Sequence, residues 1–230
     1  MGGGAWGQRQ HRDDVARHPT RRLDPNKRTL AARERDEAAR AAWWTETLTL
    51  PVDDLVFLDE TGTNTAMTQR YARAPRGIRA NGRAPRNHGP NTTLLACLTR
   101  SGMGPAMLVE GATTTEVFDA YVAYVAQVVV PWLRPGQIVI LDNLAAHAGA
   151  TVRDRIEAAR CQVRFLPAYS PDFSPIEWAF SKLKTALRAA MARTREALER
   201  AIATGLEQIT ADDAHGWFYG CGYVPLRQPL

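Results

Sequence analysis

The sequence predicts an α/β fold, a mixed central sheet flanked by helices. Three observations predict it. Two short, unbroken apolar runs, Leu55-Val56-Phe57-Leu58 and Ile138-Val139-Ile140-Leu141, have the length and composition of strands buried on both faces. Thr115 to Val130 carries Val117, Phe118, Tyr121, Val122 and Val125 at helical spacing. From residue 52 onward, strand and helix signals alternate.

Residues 1–45 read as a basic arm with one helix, Ala31 to Trp44, because Ala, Arg and Glu favour helix. Its apolar content is too low for a core of its own. Residues 46–230 form the main domain. After the strand at Leu55, Thr92 to Thr99 and Ala106 to Val109 read as strands joined by the turn Arg100 to Gly104. The helix from Thr115 should stop at Pro131, Pro135 and Gly136. The strand at Ile138 is followed by a helix, Thr151 to Arg160, and a strand, Val163 to Leu166. Pro167 to Pro175 is a proline-rich turn, and helices are expected over about 176–192 and 194–209.

The 230 residues, 45% hydrophobic and 23% charged, are enough for a sizeable core. No apolar run reaches the roughly 18 residues of a membrane span. Met1 to Gln10 is glycine-rich without the apolar centre of a secretory signal. Cys97, Cys161 and Cys221 lie far apart, which argues for a reducing compartment and against a disulfide scaffold.

The net charge is +5, but its placement says more than its total. No acid occurs between Glu60 and Glu110, where Arg70, Arg73, Arg76, Arg79, Arg83, Arg86 and Arg100 fall. A polyanion suits such a surface; a solvated loop with scattered charges is the alternative.

Both buried runs end in an aspartate, Asp59 and Asp142. In open α/β sheets chemistry gathers at the carboxyl ends of strands, although an aspartate there can also simply cap a turn. A third acid, Glu177, follows Ser174 and Pro175, which reads as a capping box with proline at the first helical position. Ile176, Phe180, Leu183 and Leu187 should form the buried stripe of that helix. Glu177 then shares the adjoining face with Ser181, Lys184 and Arg188. Three carboxylates from two strands and a helix can converge on one or two magnesium ions, which prefer oxygen donors and leave room for a phosphate. The histidines form no His-x-x-x-His pair, against a zinc hydrolase.

Phe57-Leu58-Asp59-Glu60-Thr61, Ile140-Leu141-Asp142-Asn143 with His147, and Leu166-Pro167-Ala168-Tyr169-Ser170-Pro171-Asp172-Phe173-Ser174-Pro175-Ile176-Glu177 resemble the signature blocks of DDE transposases of the mariner superfamily, in its bacterial insertion-sequence branch. Thirty-four residues separate Asp142 from Glu177, a spacing similar to that superfamily's. The resemblance covers about residues 45–225. It implies a ribonuclease H-like fold in which Asp59, Asp142 and Glu177 hold two Mg2+ or Mn2+ ions. It also implies cleavage at transposon ends followed by attack of the freed 3′-hydroxyl on target DNA. Glu60, Asn143 and His147 match motif positions without an assigned role; His147 either contacts phosphate or packs. Asp172 shapes the turn. The implied setting is a bacterial cytoplasm, nucleoid-associated, with a homodimer or larger assembly on DNA.

Residues 1–45 do not read as the paired helix-turn-helix units of that family. The expectation is a fragment, a split-frame product or a degenerate copy, with end recognition in a separate helix-turn-helix chain. Two rival readings are another ribonuclease H-like nuclease, which would cut a hybrid or junction without strand transfer, and a DNA-binding remnant without metal-dependent cleavage.

Overall fold

In the computed structural model, residues 32–47, 49–111, 115–142 and 149–224 are described. The chain divides into two units, 1–31 and 32–230, and all described residues lie in the second.

The sheet has five strands in the order β3-β2-β1-β4-β5. They are β1 (Leu55–Thr63), β2 (Thr92–Thr99), β3 (Gly102–Glu110), β4 (Ile138–Leu141) and β5 (Gln162–Phe165). β1, β2 and β3 run antiparallel as a meander, whereas β4 and β5 are parallel to β1. The mixed sheet expected from the apolar runs is therefore present. β1 extends five residues past its apolar tetrad because Asp59 to Thr63 continue the ladder with β2, from Asp59↔Ala96 to Thr63↔Thr92.

Successive strand residues face opposite sides of a sheet, and the core divides accordingly. Leu55, Phe57, Leu94, Ala96, Ile138 and Ile140 pack on one side against α5 (Pro175–Ala190), α6 (Arg195–Glu207) and α7 (Ala211–Gly220). Val56, Leu58, Leu95, Cys97, Val139 and Leu141 pack on the other. There they meet α4 (Gly149–Ala158) and a long helix made of α2 (Thr115–Tyr124), a π-helical turn over Val125–Val129 and α3 (Val130–Trp132). Pro131 does not stop this helix, contrary to the sequence expectation. The wider π turn changes the hydrogen-bond register before the proline, which α3 takes in its first turn.

α7 was not expected either, since its two glycines and its aspartates weaken helix propensity. A full capping box between Thr210 and Asp213 starts it, and Phe218 seats edge-on against Phe57 at 5.4 Å. α6 approaches α5 closely at Gly205, where a Cβ would stand 2.5 Å from Leu183.

The helix expected over Ala31 to Trp44 is present as α1 (Glu37–Thr47), and it belongs to the 32–230 unit. Trp43 is buried and donates to the Tyr223 hydroxyl at 3.3 Å. Gly222, at φ +86°, lies against the Trp44 ring, where a Cβ would stand 1.8 Å from it. The three cysteines are free and buried. No helix among the described residues is long and apolar enough to cross a membrane.

Candidate active site

The parallel pairing of β1 with β4 sets Leu58 beside Leu141, so the next residues, Asp59 and Asp142, are neighbours where the two strands diverge. By strand alternation both project to the side on which α5 packs, the side of Phe57 and Ile140. Glu177 stands on the first turn of α5. Asp59, Asp142 and Glu177 line one cleft of about 450 Å3, completed by Leu166, Ala168, Tyr169, Ser170, Pro171 and Ser174. The structure thus brings the three expected acids together.

Their electrostatics show how close the acids are. Burial pushes the Asp59 carboxyl well above the ordinary aspartate range, and the charges of Glu60, Glu177 and Asp142 push it further; the Glu60 N–H, which donates to Asp59 at 2.8 Å, opposes this. Burial and then Asp142 raise Glu60. Glu177 is raised by burial, with Lys184 pulling it down and Asp142 pushing it up. Alternation turns Glu60 to the far side of the sheet, toward α2. In keeping with this, Glu60 is the foremost charge raising the Tyr121 hydroxyl, after burial.

No set of three His, Cys, Asp or Glu side chains among the described residues is arranged to hold a metal ion as it stands. Carboxylates without a cation repel one another, and this repulsion adds to burial, the larger cause, in raising Asp59 and Glu177. The donor set itself is all oxygen and anionic, which fits a hard divalent cation.

The capping box expected at Glu177 is not formed. Ser174 is the N-cap residue, but its side chain makes no capping hydrogen bond. The preceding 3-10 turn Pro171–Phe173 runs directly into α5, and the Glu177 N–H closes on the Ser174 carbonyl at 3.2 Å instead. Glu177 is therefore not occupied with capping, and its carboxyl faces the cleft.

The 3-10 turn is held from outside the cleft. The buried Arg40 of α1 donates twice to Asp172, at 3.0 and 2.6 Å, and its guanidinium lies 4.0 Å from the centre of the Phe173 ring. Trp44 stacks on the same ring at 5.6 Å, and the Tyr223 hydroxyl donates to the Phe173 carbonyl at 2.7 Å. Burial alone would raise Asp172; the Arg40 hydrogen bonds and charge outweigh it and hold that carboxyl below its ordinary range. Asp172 does shape the turn, as expected. Its partner Arg40 was not foreseen, because 132 residues separate them.

The basic residues separate into two groups. Arg70, Arg83, Lys184 and Arg188 line a groove of about 660 Å3 with Gly62 to Asn64, Ala66 to Thr68 and Ala80 to Ala84, and no acid lines it. Arg73, Arg76, Arg79 and Arg86 are exposed on the same 64–91 excursion but do not line that groove. Asn143 and His147 lie outside the described residues.

A five-stranded mixed sheet of this order, with one acid midway along the central strand β1, one directly after the neighbouring β4 and one on the first turn of α5, defines a ribonuclease H-like protein. Within that class, the chain belongs to the DDE superfamily endonucleases, whose family model matches residues 54–199. Similar solved structures include the Mos1 transposase paired-end complex with the left transposon end (TM-score 0.67, 18% identity, covering 88% of this chain and 64% of that one). The Mos1 strand transfer complex is also similar (TM-score 0.65, 18% identity, 88% and 63%). So is the catalytic domain of Mos1 mariner transposase alone (TM-score 0.53, 14% identity, 80% and 85%). The chain thus spans slightly under two thirds of the Mos1 chains in these complexes. The comparison with curated proteins finds no match.

Proposed function

We propose that this chain is the catalytic part of a transposase that cleaves DNA strands at transposon ends and joins the freed 3′-hydroxyl to target DNA. The observation that carries the reading is the convergence of Asp59, Asp142 and Glu177 on one cleft, in a chain of the DDE endonuclease family. Mos1 complexes with transposon ends, and with Mg and with Mn, support the choice of substrate and cation by similarity.

Asp59, Asp142 and Glu177 would hold one or two Mg2+ or Mn2+ ions, which when bound activate the attacking oxygen and stabilise the leaving one. Lys184 lowers the Glu177 carboxyl through its charge and also lines the basic groove, so it joins groove to cleft. Lys184, Arg188, Arg70 and Arg83 bind the DNA backbone along that groove and orient a phosphate toward the acids. Arg73, Arg76, Arg79 and Arg86 contribute a more diffuse attraction from the excursion. On DNA the chain works as a homodimer or larger assembly, with the base readout supplied by a helix-turn-helix module.

The test is nicking of a supercoiled plasmid carrying the DNA that borders the reading frame. The expected outcome is cleavage that requires Mg2+ or Mn2+ and disappears in Asp59→Asn. Cleavage that survives that change, or proceeds in a chelator, would reject the reading. Cutting of an RNA–DNA hybrid without strand transfer would favour a different nuclease.

A further inference from the structure

Tyr169 adopts φ +55°, a left-handed backbone that bulky residues rarely take. Among the described residues, the two other non-glycine residues with positive φ, Arg160 and Met191, sit at the ends of α4 and α5, where helices commonly finish that way. Tyr169 ends no helix. It lies between β5 and the 3-10 turn, on the wall of the acid cleft.

Its neighbours are fixed. The Leu166 N–H donates to the Leu141 carbonyl at 2.9 Å, tying the start of the loop to the residue before Asp142. Ser170 is buried, its hydroxyl donating back across Tyr169 to the Ala168 carbonyl at 3.2 Å. Yet the Tyr169 ring is 57% exposed. The loop therefore holds a strained residue between anchored neighbours, and the ring it carries is turned outward beside the carboxylates. Burying that ring in the core would account for the strain, but the ring is not buried. Strain that persists at such a site points to use by a ligand.

From this geometry we infer that Tyr169 is a stacking platform for a nucleobase, the base adjoining the phosphodiester held at the carboxylates. The identity of the ligand rests on the nuclease reading above. A phosphate directed at Asp59, Asp142 and Glu177 brings its flanking base to the cleft wall, and an aromatic face binds any base without regard to sequence. The fixed left-handed backbone spares the ring an ordering cost when the base arrives.

The experiment uses the full chain and a short duplex with 2-aminopurine as its 3′-terminal nucleotide, with Ca2+ replacing Mg2+ so that binding proceeds without turnover. Wild type and Tyr169→Phe should quench the probe. Tyr169→Ala should leave it bright and weaken binding by about 5- to 150-fold, the range for losing one stacked base. Tyr169→Gly should match the alanine variant in binding yet melt at a higher temperature than it, because glycine accepts the left-handed backbone. Quenching and affinity unchanged in Tyr169→Ala, or a phenylalanine variant that behaves like alanine, would overturn the stacking site. Plasmid nicking is measured alongside. A protein that quenches through Tyr169 but never cuts would sink the nuclease reading alone; one that cuts while its alanine variant still quenches would sink the stacking site alone.

Discussion

Two irregular segments border the functional surface, and they are held in opposite ways. The 166–175 loop is gripped on several sides: by β4 through Leu166, by α1 through Arg40 and Trp44, and by Tyr223 from the chain's last described residues. The 64–91 excursion between β1 and β2 has no regular secondary structure, and its arginines are exposed. The first segment sets where Glu177 stands; the second presents charge. Holding three mutually repelling carboxylates in one cleft requires a rigid frame, whereas attraction to a phosphate backbone acts over several ångströms and tolerates looseness.

The largest effects should come from the rigid region. Asp59→Asn and Glu177→Gln should each lower metal-dependent cleavage by about 10²–10³-fold or more, the scale for removing one essential electrostatic group from an active site. The stability of Asp59→Asn should move the other way. Asp59 is raised in the folded chain, so between its unfolded and folded values the native state binds more protons than the unfolded one. Metal-free stability then falls as pH rises from the ordinary carboxylate range through the folded value of Asp59. Asp59→Asn should flatten that fall and raise the metal-free Tm at neutral pH. Millimolar Mg2+ should raise the wild-type Tm and leave that of Asp59→Asn nearly unchanged. Glu177→Gln should alter stability by less than about 1 kcal/mol, because no capping bond depends on its side chain. Thermal melts with and without Mg2+, across pH, check all of these.

Next in size is Arg40→Ala. It removes two hydrogen bonds to a carboxylate and the cover of the Phe173 ring, and it should cost about 2–3 kcal/mol, read by denaturant unfolding. Asp172 is lowered by Arg40, so this contribution is present above the unfolded aspartate value and is lost as pH falls through the folded one. If the turn positions Glu177, cleavage by the folded variant should also need more Mg2+ for half-maximal rate. An unchanged Mg2+ requirement would reduce Arg40 to a stabilising contact and weaken the contrast between the two segments.

The two regions were also unequally legible in the sequence. Unbroken apolar runs exposed Asp59 and Asp142, because a carboxylate directly after a buried apolar tetrad is visible without any tertiary information. The stripe Ile176, Phe180, Leu183 and Leu187 is buried as its spacing requires, which put Glu177, Lys184 and Arg188 on the adjoining face. The grip of Arg40 on Asp172 was not legible, because nothing local links residues so far apart in the chain. Nor was the backbone of Tyr169, since a left-handed conformation is signalled by glycine or asparagine and not by tyrosine. The composition of the 64–91 excursion revealed its charge but not its division between groove and solvent, which depends on where Lys184 and Arg188 meet it.

That division makes a sharper test than charge alone. Replacing Arg70 and Arg83 by alanine should reduce the slope of log affinity against log salt by about 2, one for each arginine withdrawn from a phosphate. Replacing Arg73 and Arg79 removes the same charge from outside the groove and should change the slope by less than about 1. Equal slopes for the two pairs would mean that the groove has no special standing and that the whole excursion acts as diffuse charge.

The smallest effect should fall on an exposed anchor of the excursion, Arg193. Arg193, between α5 and α6, donates to the Thr65 and Met67 carbonyls at 2.9 and 3.0 Å and to the Thr68 hydroxyl at 3.0 Å. These bonds are exposed, so water can replace most of what Arg193→Ala removes, and global stability should change by less than about 1 kcal/mol. The consequence should instead be local. Thr65 to Thr68 lead directly into Gln69 and Arg70 on the groove wall, so releasing them lets the wall move relative to Lys184 and Arg188. Amide hydrogen exchange over residues 64–72 should accelerate in Arg193→Ala while exchange in β1 and β2 stays at wild-type rates. DNA affinity should weaken by a few-fold, because ordering the freed segment now opposes binding, with a salt slope close to wild type, because the cations that meet phosphate are all present. A salt slope that drops by about 1 would show that Arg193 meets phosphate itself. Unchanged exchange would show that the excursion is held by interactions along its length, and its contrast with the 166–175 loop would then be one of charge alone.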